Sequence, residues 1–234
     1  MQRVTLAGPD LEGFDPGLPA ASVRLLVPPP GARELVMPAW NGNEFLLPGG
    51  SRPTIRTYTP LRHDPEAREL DLDVVLHPTG AVAAWALRAR AGDRAAISGP
   101  GRGYAVDPDA TSFVLAGDET ALPAIGQLLE VLPRHVPVQV IVEVARPDAR
   151  VDLPDHPGAS IDWCDLPAGG RAGDALVDAV RQADIAADAQ VWAAGEAAAV
   201  HRIRKLLFDE RGMARSQATV RGYWKHGRSG GAEG

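Results

Sequence analysis

The sequence predicts two domains of different classes, an antiparallel β-barrel of the six-stranded type followed by a doubly wound parallel-sheet α/β domain. The length is the first indication, because 234 residues exceed the roughly 100–150 of a usual single domain. The hydrophobic pattern is the second. Short strands between Pro- and Gly-rich turns fill the first half, whereas buried strands alternate with helices in the second. We expect the barrel to occupy residues 1–108 and the α/β domain residues 109–234.

Six strands and one helix are predicted for the barrel domain. Alternating or β-branched runs predict strands at Met1–Leu6, Val23–Val27, Glu34–Met37, Ile55–Thr59, Leu70–His77 and Ala95–Ser98. The polar stretch from Arg62 to Glu69 is interpreted as a hairpin connection. Residues Ala81–Ala91 predict a short helix, which Gly92 ends.

The second domain alternates continuous apolar runs with amphipathic segments. Strands are predicted at Phe113–Ala116, Val138–Val144, Ala159–Trp163 and Gln190–Ala193, and helices at Leu122–Leu132, Gly173–Arg181 and Ala197–Glu210. Ligands of such sheets bind at the carboxyl ends of the strands, which here carry the turns Gly117–Ala121 and Gly195–Ala197. Neither turn has the Gly-x-Gly-x-x-Gly pattern of an ordinary dinucleotide-binding domain.

Composition and charge exclude several classes of function. A net charge of -6 argues against a nucleic-acid partner. From His201 to the end, however, eight Lys or Arg residues predict either a local anionic ligand or an ordinary solvated helix. Cys164 is the single cysteine, and the histidines form no His-x-x-x-His pair, so no bound structural metal is expected. Because the sequence contains neither a membrane-length apolar run nor a signal-peptide core, we expect a cytoplasmic protein, and nothing in the pattern demands an oligomer.

The segment Arg56-Thr57-Tyr58-Thr59 is the first candidate binding motif. On a strand, Arg56 and Tyr58 share one face while Thr59 lies on the other. This arrangement places a bidentate phosphate donor beside an aromatic ring, which suits a dinucleotide with a flat ring system. An amphipathic surface strand is the alternative. The Gly80 turn before the predicted helix adds a second candidate, because the free N–H groups at a helix start bind anions.

The order of these motifs resembles one known family. The sequence is similar to the siderophore-interacting, FAD-binding family of ferric-siderophore reductases, within the ferredoxin-NADP reductase superfamily. The resemblance covers nearly the whole chain and rests on these segments: Arg3–Leu6, Arg56–Thr59, Val75–His77, Ala91–Asp93 with Gly99-Pro100, Ala116–Ile125, Trp192–Ala197 and Arg221–Gly227. The long run from Gly117 to Ile125 and the ending Gly222-Tyr223-Trp224-Lys225 are the most discriminating.

The resemblance implies an FAD-dependent enzyme that takes electrons from NADPH or NADH and reduces a ferric siderophore. It implies FAD contacts from Arg56 on the pyrophosphate, Tyr58 on the isoalloxazine, Thr59 near N5, and His77, Gly80, Val82 and Ala83 at the phosphates. It implies a cofactor or nucleotide site at Gly117, Asp118, Glu119, Thr120, Gly195, Glu196 and Trp224. Arg102, Lys225 and Arg228 are the candidate siderophore contacts. No catalytic side chain is predicted, because the flavin carries the chemistry.

Several alternatives stay open at this level. The chain could be a general flavin-dependent NAD(P)H oxidoreductase with another acceptor, or a flavin- or siderophore-binding protein without turnover. Asp118 or Glu119 could cap the following helix instead of binding a ligand. For the choice between NADH and NADPH, Glu143 favours a ribose hydroxyl, whereas Arg146 and Arg150 favour a 2′-phosphate. Ala83 stands where the family usually has a hydroxyl, so FAD affinity could be weaker. The family usually has another strand before Met1–Leu6, so the barrel could be short or the start site misplaced.

Overall fold

The structure, a computed structural model, describes residues 1–78 and 80–227. Their contacts divide the chain into two compact units, Met1–Gly103 and Tyr104–Gly227. The first unit carries the antiparallel sheets and the second carries a parallel sheet. The predicted fold class, a barrel-type domain followed by an α/β domain, is confirmed.

The described part of the first unit has eight strands and one α-helix. They are β1 (Gln2–Ala7), β2 (Val23–Val27), β3 (Ala39–Trp40), β4 (Phe45–Leu46), β5 (Thr54–Tyr58), β6 (Pro60–Asp64), β7 (Glu69–Val74), α1 (Ala81–Arg88) and β8 (Ala96–Ser98). The strands form three antiparallel sheets with the orders β1-β7-β6, β5-β2-β8 and β3-β4. Alternate residues of β7 are buried, as the period-two pattern predicts.

An apolar cluster joins the β1-β7-β6 and β5-β2-β8 sheets to α1. β2 contributes Val23 and Leu25, β7 contributes Leu72, and α1 contributes Val82 and Trp85. The helix therefore buries the face that carries Trp85, while Leu87 is exposed. Burial of aliphatic and aromatic side chains of this size stabilises the unit by about 1.5–3 kcal/mol each.

Three predictions for this unit are wrong in detail. Glu34–Met37 is not a strand; pairing starts at Ala39, where the Asn41 side chain accepts bonds from the amides of Asn43 and Glu44 and closes a hairpin. The strand predicted to reach His77 ends at Val74, because its partner β1 begins at Gln2, opposite Val74. The expected connection from Arg62 to Glu69 includes the end of β6, whose alternating charged residues suit an exposed strand.

The second unit is built on a five-stranded, entirely parallel sheet. Its elements are β9 (Phe113–Asp118), α2 (Leu122–Val131), β10 (Val138–Val144), β11 (Ala159–Asp165), α3 (Asp174–Gln182), β12 (Gln190–Glu196), α4 (Ala197–Lys205) and β13 (Ala218–Trp224). The sheet order is β11-β10-β9-β12-β13. The chain order therefore reverses between β9 and β12, the position where ligands bind in doubly wound sheets. β13 was not predicted as a strand, although its residues were recognised as a motif.

Buried strands and helices form the core of the second unit. One face of the sheet packs Val114, Ile141 and Ala193 against Leu176 of α3 and Ile203 of α4. All six residues of β9 are buried, which explains its unbroken apolar run. α4 ends earlier than predicted as an α-helix, and its last turn, Leu206–Glu210, is a π-helix.

Candidate functional sites

The face of β5 in the first unit carries a guanidinium without an acidic partner. Arg56 pairs with Leu25 across the sheet, and its Nη1 donates to the Ile55 carbonyl at 2.6 Å. Among residues 1–78 and 80–227, no carboxylate lies within ion-pair distance of Arg56. Since a guanidinium has five N–H donors, most of those of Arg56 remain available to an anion.

Tyr58 lies two residues further along β5 and packs partly against the core of the unit. Burial raises the pKa of its phenol to about 12, while the charge of Arg56 acts in the opposite direction. The side chain therefore stays neutral at physiological pH. Thr59 follows immediately and is buried, with 7% of its surface exposed. The sequence predicted Arg56 and Tyr58 side by side, and the strand assignment places them on one face.

The start of α1 offers backbone donors rather than side chains. Gly80 is the N-cap residue, and no side chain among residues 1–78 and 80–227 caps the helix. Val82 and Ala83 are buried in the core, so their predicted role would fall to their backbone N–H groups. A Cβ on Gly80 would lie 2.4 Å from His77 Nε2, which means that the histidine ring covers this glycine. A guanidinium without an acidic partner and an uncapped helix start both fit the pyrophosphate of a dinucleotide.

In the second unit, Asp118 is the centre of the site at the carboxyl end of the sheet. Its Oδ1 accepts bonds from Thr120 N at 2.9 Å and Thr120 Oγ1 at 2.5 Å. Its Oδ2 accepts bonds from Glu196 N at 2.9 Å and Trp224 Nε1 at 2.7 Å. One buried carboxylate therefore joins the ends of β9, β12 and β13. Four of the seven residues predicted for this site meet through it.

The other two acidic residues of the site also bond to the protein backbone. Glu196 caps α4 by accepting bonds from Ala198 N at 2.6 Å and Ala199 N at 2.9 Å. Glu119 Oε1 accepts a bond from Ala145 N at 2.5 Å. Asp118 caps the short 3-10 helix that follows β9, which is the capping alternative left open by the sequence. These carboxylates hold the turns in place by accepting bonds from backbone N–H groups and from the Thr120 hydroxyl.

Gly117 and Gly195 are required for a reason that sequence reasoning missed. The sequence suggested that a side chain there would obstruct the nucleotide. In the structure, a Cβ on Gly117 would lie 2.4 Å from Ala121 Cβ, and one on Gly195 would lie 2.6 Å from Asp118 Oδ2. Gly195 also has a φ of 154°, which side chains rarely adopt. Both glycines are therefore needed for the protein's own packing.

We expect Gly117→Ala to lower the free energy of unfolding by about 2–3 kcal/mol, because the added methyl overpacks a rigid core. Urea unfolding of the full chain measures this loss. Gly126→Ala in α2 is the matched control, since its Cβ would meet only Pro154 at 3.6 Å. That control should be neutral or stabilising by up to about 1 kcal/mol. Equal stabilities of the two variants would contradict the packing argument.

The predicted siderophore contacts lie in different parts of the chain. Arg102 is exposed in the first unit, and Lys225 is exposed directly after β13 in the second. Arg228 lies outside the described residues. The side chain of Trp224 is held at the sheet end through Asp118, and its ring lies 6.3 Å from that of His226. The grouping of the three cations stays a prediction.

Glu143 has a different role from the one considered for it. It is buried, and its carboxylate accepts bonds from Gly173 N at 2.6 Å and Leu176 N at 2.9 Å at the start of α3. These bonds occupy both oxygens, so Glu143 is not placed as a ribose acceptor. Arg146 and Arg150 pair with Asp148 and Asp165. Sequence reasoning missed this capping role because Glu143 lies 30 positions before Gly173, and only the fold brings the two residues together.

Two further observations concern membranes and metals. Within residues 1–78 and 80–227, no helix is long and apolar enough to cross a membrane. The same part of the chain contains no group of three or more His, Cys, Asp or Glu side chains that could hold a metal ion.

Two family models match the chain, one for each half. Residues 1–104 match the siderophore-interacting FAD-binding domain, and residues 110–227 match the siderophore-interacting protein family. The chain belongs to the siderophore-interacting protein family. The resemblance stated from the sequence is thereby confirmed, and FAD is confirmed as the cofactor of the domain family to which the first half belongs.

Relatives within this family span most of the chain. Ferric vibriobactin reductase ViuB of Vibrio cholerae is 30% identical over 231 residues, covering 97% of this chain and 84% of ViuB. The crystal structure of a siderophore utilization protein from T. fusca superposes with a TM-score of 0.84 at 37% identity, covering 97% of this chain and 87% of that one. A ferredoxin NADP+ reductase from Neisseria gonorrhoeae superposes with a TM-score of 0.60 at 16% identity, over 95% and 93% of the two chains, which shows a shared fold.

Proposed function

We propose that the protein is an NAD(P)H-dependent ferric-siderophore reductase that uses FAD. The observation that carries the proposal is the face of β5, where Arg56, with no acidic partner in the described part of the chain, lies beside a neutral Tyr58 in an FAD-binding domain. The relative named as a ferric vibriobactin reductase, which aligns with 97% of the chain, supports the choice of acceptor.

In this proposal the first unit binds and orients the flavin. Arg56 neutralises the pyrophosphate, and the backbone N–H groups at the start of α1 complete its solvation. Tyr58, kept protonated by its burial, provides an uncharged aromatic surface for the ring system. FAD, when bound, supplies the step that side chains cannot perform, since it accepts electrons in a pair and passes them on singly.

The second unit receives the reduced pyridine nucleotide at the reversal point of its sheet. The nucleotide approaches the Gly117–Thr120 and Gly195–Ala197 turns at the carboxyl ends of β9 and β12, where ligands bind in other doubly wound sheets. Asp118 and Glu196 are positioning residues, because they fix the turns through bonds to Thr120 N, Ala198 N and Ala199 N.

Because the proposed enzyme releases the metal by reducing it, it needs no side chain that cleaves the siderophore. The oxygen donors of siderophores are hard ligands that hold Fe(III) far more tightly than Fe(II), so one electron releases the metal. The released Fe(II) is a product and requires no resident metal site. We place this reaction in the cytoplasm, as the sequence predicts.

The test is an anaerobic half-reaction experiment on the purified, FAD-loaded protein. NADH or NADPH is added first and flavin absorbance is followed, then a ferric siderophore is added. Bleaching followed by recovery of the flavin colour supports the reductase. Bleaching without recovery indicates an oxidoreductase with another acceptor, and the absence of bleaching indicates a binding protein without turnover.

The charge of the acceptor provides a second prediction. Catecholate chelates of Fe(III) are polyanions, whereas the chain carries a net charge of -6, so we propose that Arg102, Lys225 and Arg228 attract the chelate. Arg102→Gln combined with Lys225→Gln should lower the second-order rate of flavin reoxidation by a triscatecholate chelate. The rate with a neutral hydroxamate chelate should fall less, because exposed charges act mainly on encounter.

Stopped-flow reoxidation at two salt concentrations measures both rates. The difference between the chelates should shrink at high salt, where the Debye length falls below about 8 Å. Flavin reduction by NAD(P)H is the internal control and should be unchanged. Equal losses of the reoxidation rate for both chelates would show that these cations do not attract the acceptor.

A further inference from the structure

The first unit contains a cavity beside the C-terminal end of α1 that no step of the proposed reaction uses. Its volume is about 400 Å³, and its walls include Arg33, Arg88, Arg90, Asp93, Trp85 and Pro28. The backbone N–H groups proposed to bind the pyrophosphate lie at the other end of the same helix, next to Gly80. An eight-residue helix is about 12 Å long, so the cavity and the helix start are separate places.

The core and α1 position part of the walls of this cavity, whereas Arg33 lies in the irregular segment between β2 and β3. Trp85 belongs to the core cluster and is only 5% exposed, and Pro28 follows β2 and is also buried. Arg88 is the last residue of α1, and Arg90 lies in the following turn, where the Asp93 carboxylate accepts the Arg90 backbone N–H at 3.0 Å. The cavity therefore has an apolar wall and a cationic rim.

The three guanidinium groups of the rim lack acidic partners. Among the described residues, Arg33, Arg88 and Arg90 form no ion pair, and all three side chains are exposed. The helix dipole favours a cation at the position of Arg88 but does not account for Arg33 or Arg90. Counting Asp93, the walls keep a net excess of two positive charges in a chain whose net charge is -6.

We propose that this cavity binds a small organic phosphate monoester with a flat apolar part, of the size of a nucleoside monophosphate. A phosphate monoester carries nearly two negative charges at pH 7, which matches the excess of the walls. Guanidinium forks bind phosphate oxygens bidentately. The volume lies within the range of small-molecule sites and exceeds what a phosphate group alone fills, and the largely buried Trp85 and Pro28 line the remainder.

The test uses the full-length, FAD-saturated protein titrated with AMP, with inorganic phosphate and with adenosine. Calorimetry gives the affinities, and the chemical shift of the Trp85 indole N–H reports the place of binding. We expect AMP to bind at least ten-fold more tightly than either fragment. Arg33→Gln combined with Arg88→Gln should weaken AMP by ten-fold or more, the scale of losing charge-assisted hydrogen bonds.

Arg94→Gln is the matched control, because Arg94 is an exposed neighbour outside the cavity. Its AMP affinity should stay within two-fold of wild type. Four results would overturn the proposal: no AMP binding, equal affinities for AMP and phosphate, equal losses in the control and the double variant, or AMP binding only when FAD is absent. The last result would assign the cavity to the flavin site. Because flavin turnover is not the readout, failure here leaves the reductase proposal unaffected.

Discussion

Asp118→Ala is expected to lower the free energy of unfolding by about 3–5 kcal/mol at pH 5, the largest effect of any single change proposed for this protein. The carboxylate is 3% exposed and accepts four hydrogen bonds from Thr120, Glu196 and Trp224. Alanine would leave the buried Glu196 N–H without an acceptor and would also remove the bonds from Thr120 and from the indole of Trp224, a residue that is 36% exposed. A buried donor without an acceptor costs about 1–3 kcal/mol.

The loss caused by Asp118→Ala should depend on pH. Burial raises the pKa of Asp118 to about 6, while bonds from Thr120 and Trp224 act in the opposite direction. An unfolded aspartate has a pKa of about 3.9, so the folded chain holds an extra proton between these values. The stabilisation from this proton is complete below about pH 4 and is lost as the pH rises through 6. About one pH unit of the shift acts at pH 5 and almost none at pH 7.5, so we expect the loss at pH 7.5 to be about 1–1.5 kcal/mol smaller than at pH 5.

The geometry indicates where the extra proton lies. The Glu196 N–H and the Trp224 indole N–H can only donate, so Oδ2 stays an acceptor. The Thr120 hydroxyl can both donate and accept, so a proton on Oδ1 can be donated to Thr120 Oγ1. The Thr120 hydroxyl donates to the ionised Oδ1 and lowers the pKa of Asp118, so Thr120→Val should raise that pKa further and increase the pH dependence while keeping the backbone bond from Thr120 N.

Urea unfolding followed by tryptophan fluorescence measures these losses, and hydrogen exchange at the Glu196 amide reports the site directly. Asp155→Ala is the matched control, because its side chain is 96% exposed and should change stability by less than about 0.5 kcal/mol. A loss below 1 kcal/mol for Asp118→Ala at both pH values would show that the carboxylate does not hold the three strand ends together.

Arg56→Ala should weaken FAD binding by about 2–3 kcal/mol, or roughly 30- to 150-fold. The guanidinium has one bond to the Ile55 carbonyl and no acidic partner among the described residues, so its remaining donors are available to the pyrophosphate. Arg56→Lys should recover only part of the loss, since an ammonium group keeps the charge but not the bidentate fork.

Fluorescence titration with FAD and with FMN measures this effect. FMN lacks the pyrophosphate bridge, so wild type should prefer FAD and Arg56→Ala should lose most of that preference. Arg62→Ala on β6 is the control, because Arg62 pairs with Asp64 and is exposed. If wild type bound FMN and FAD equally, the assignment of Arg56 to the pyrophosphate would be wrong.

The sequence by itself determined the architecture and the location of the candidate sites. The patterns that predicted them are local, and each spans fewer than ten neighbouring residues. They are the alternation in β7, the unbroken apolar run of β9 and the glycines near the ends of β9 and β12. Arg56 and Tyr58 share a face for the same reason, because the strand period is two. Such features need no knowledge of distant segments.

Only the tertiary structure decided what the acidic side chains do. Asp118 bonds to a residue 78 positions away and to another 106 positions away, and Glu143 caps a helix that starts 31 positions later. The same applies to Gly117, whose missing side chain makes room for Ala121 and Ala194. A buried polar group must find its partners wherever the fold brings donors together, and a residue's own neighbours in the chain do not reveal them.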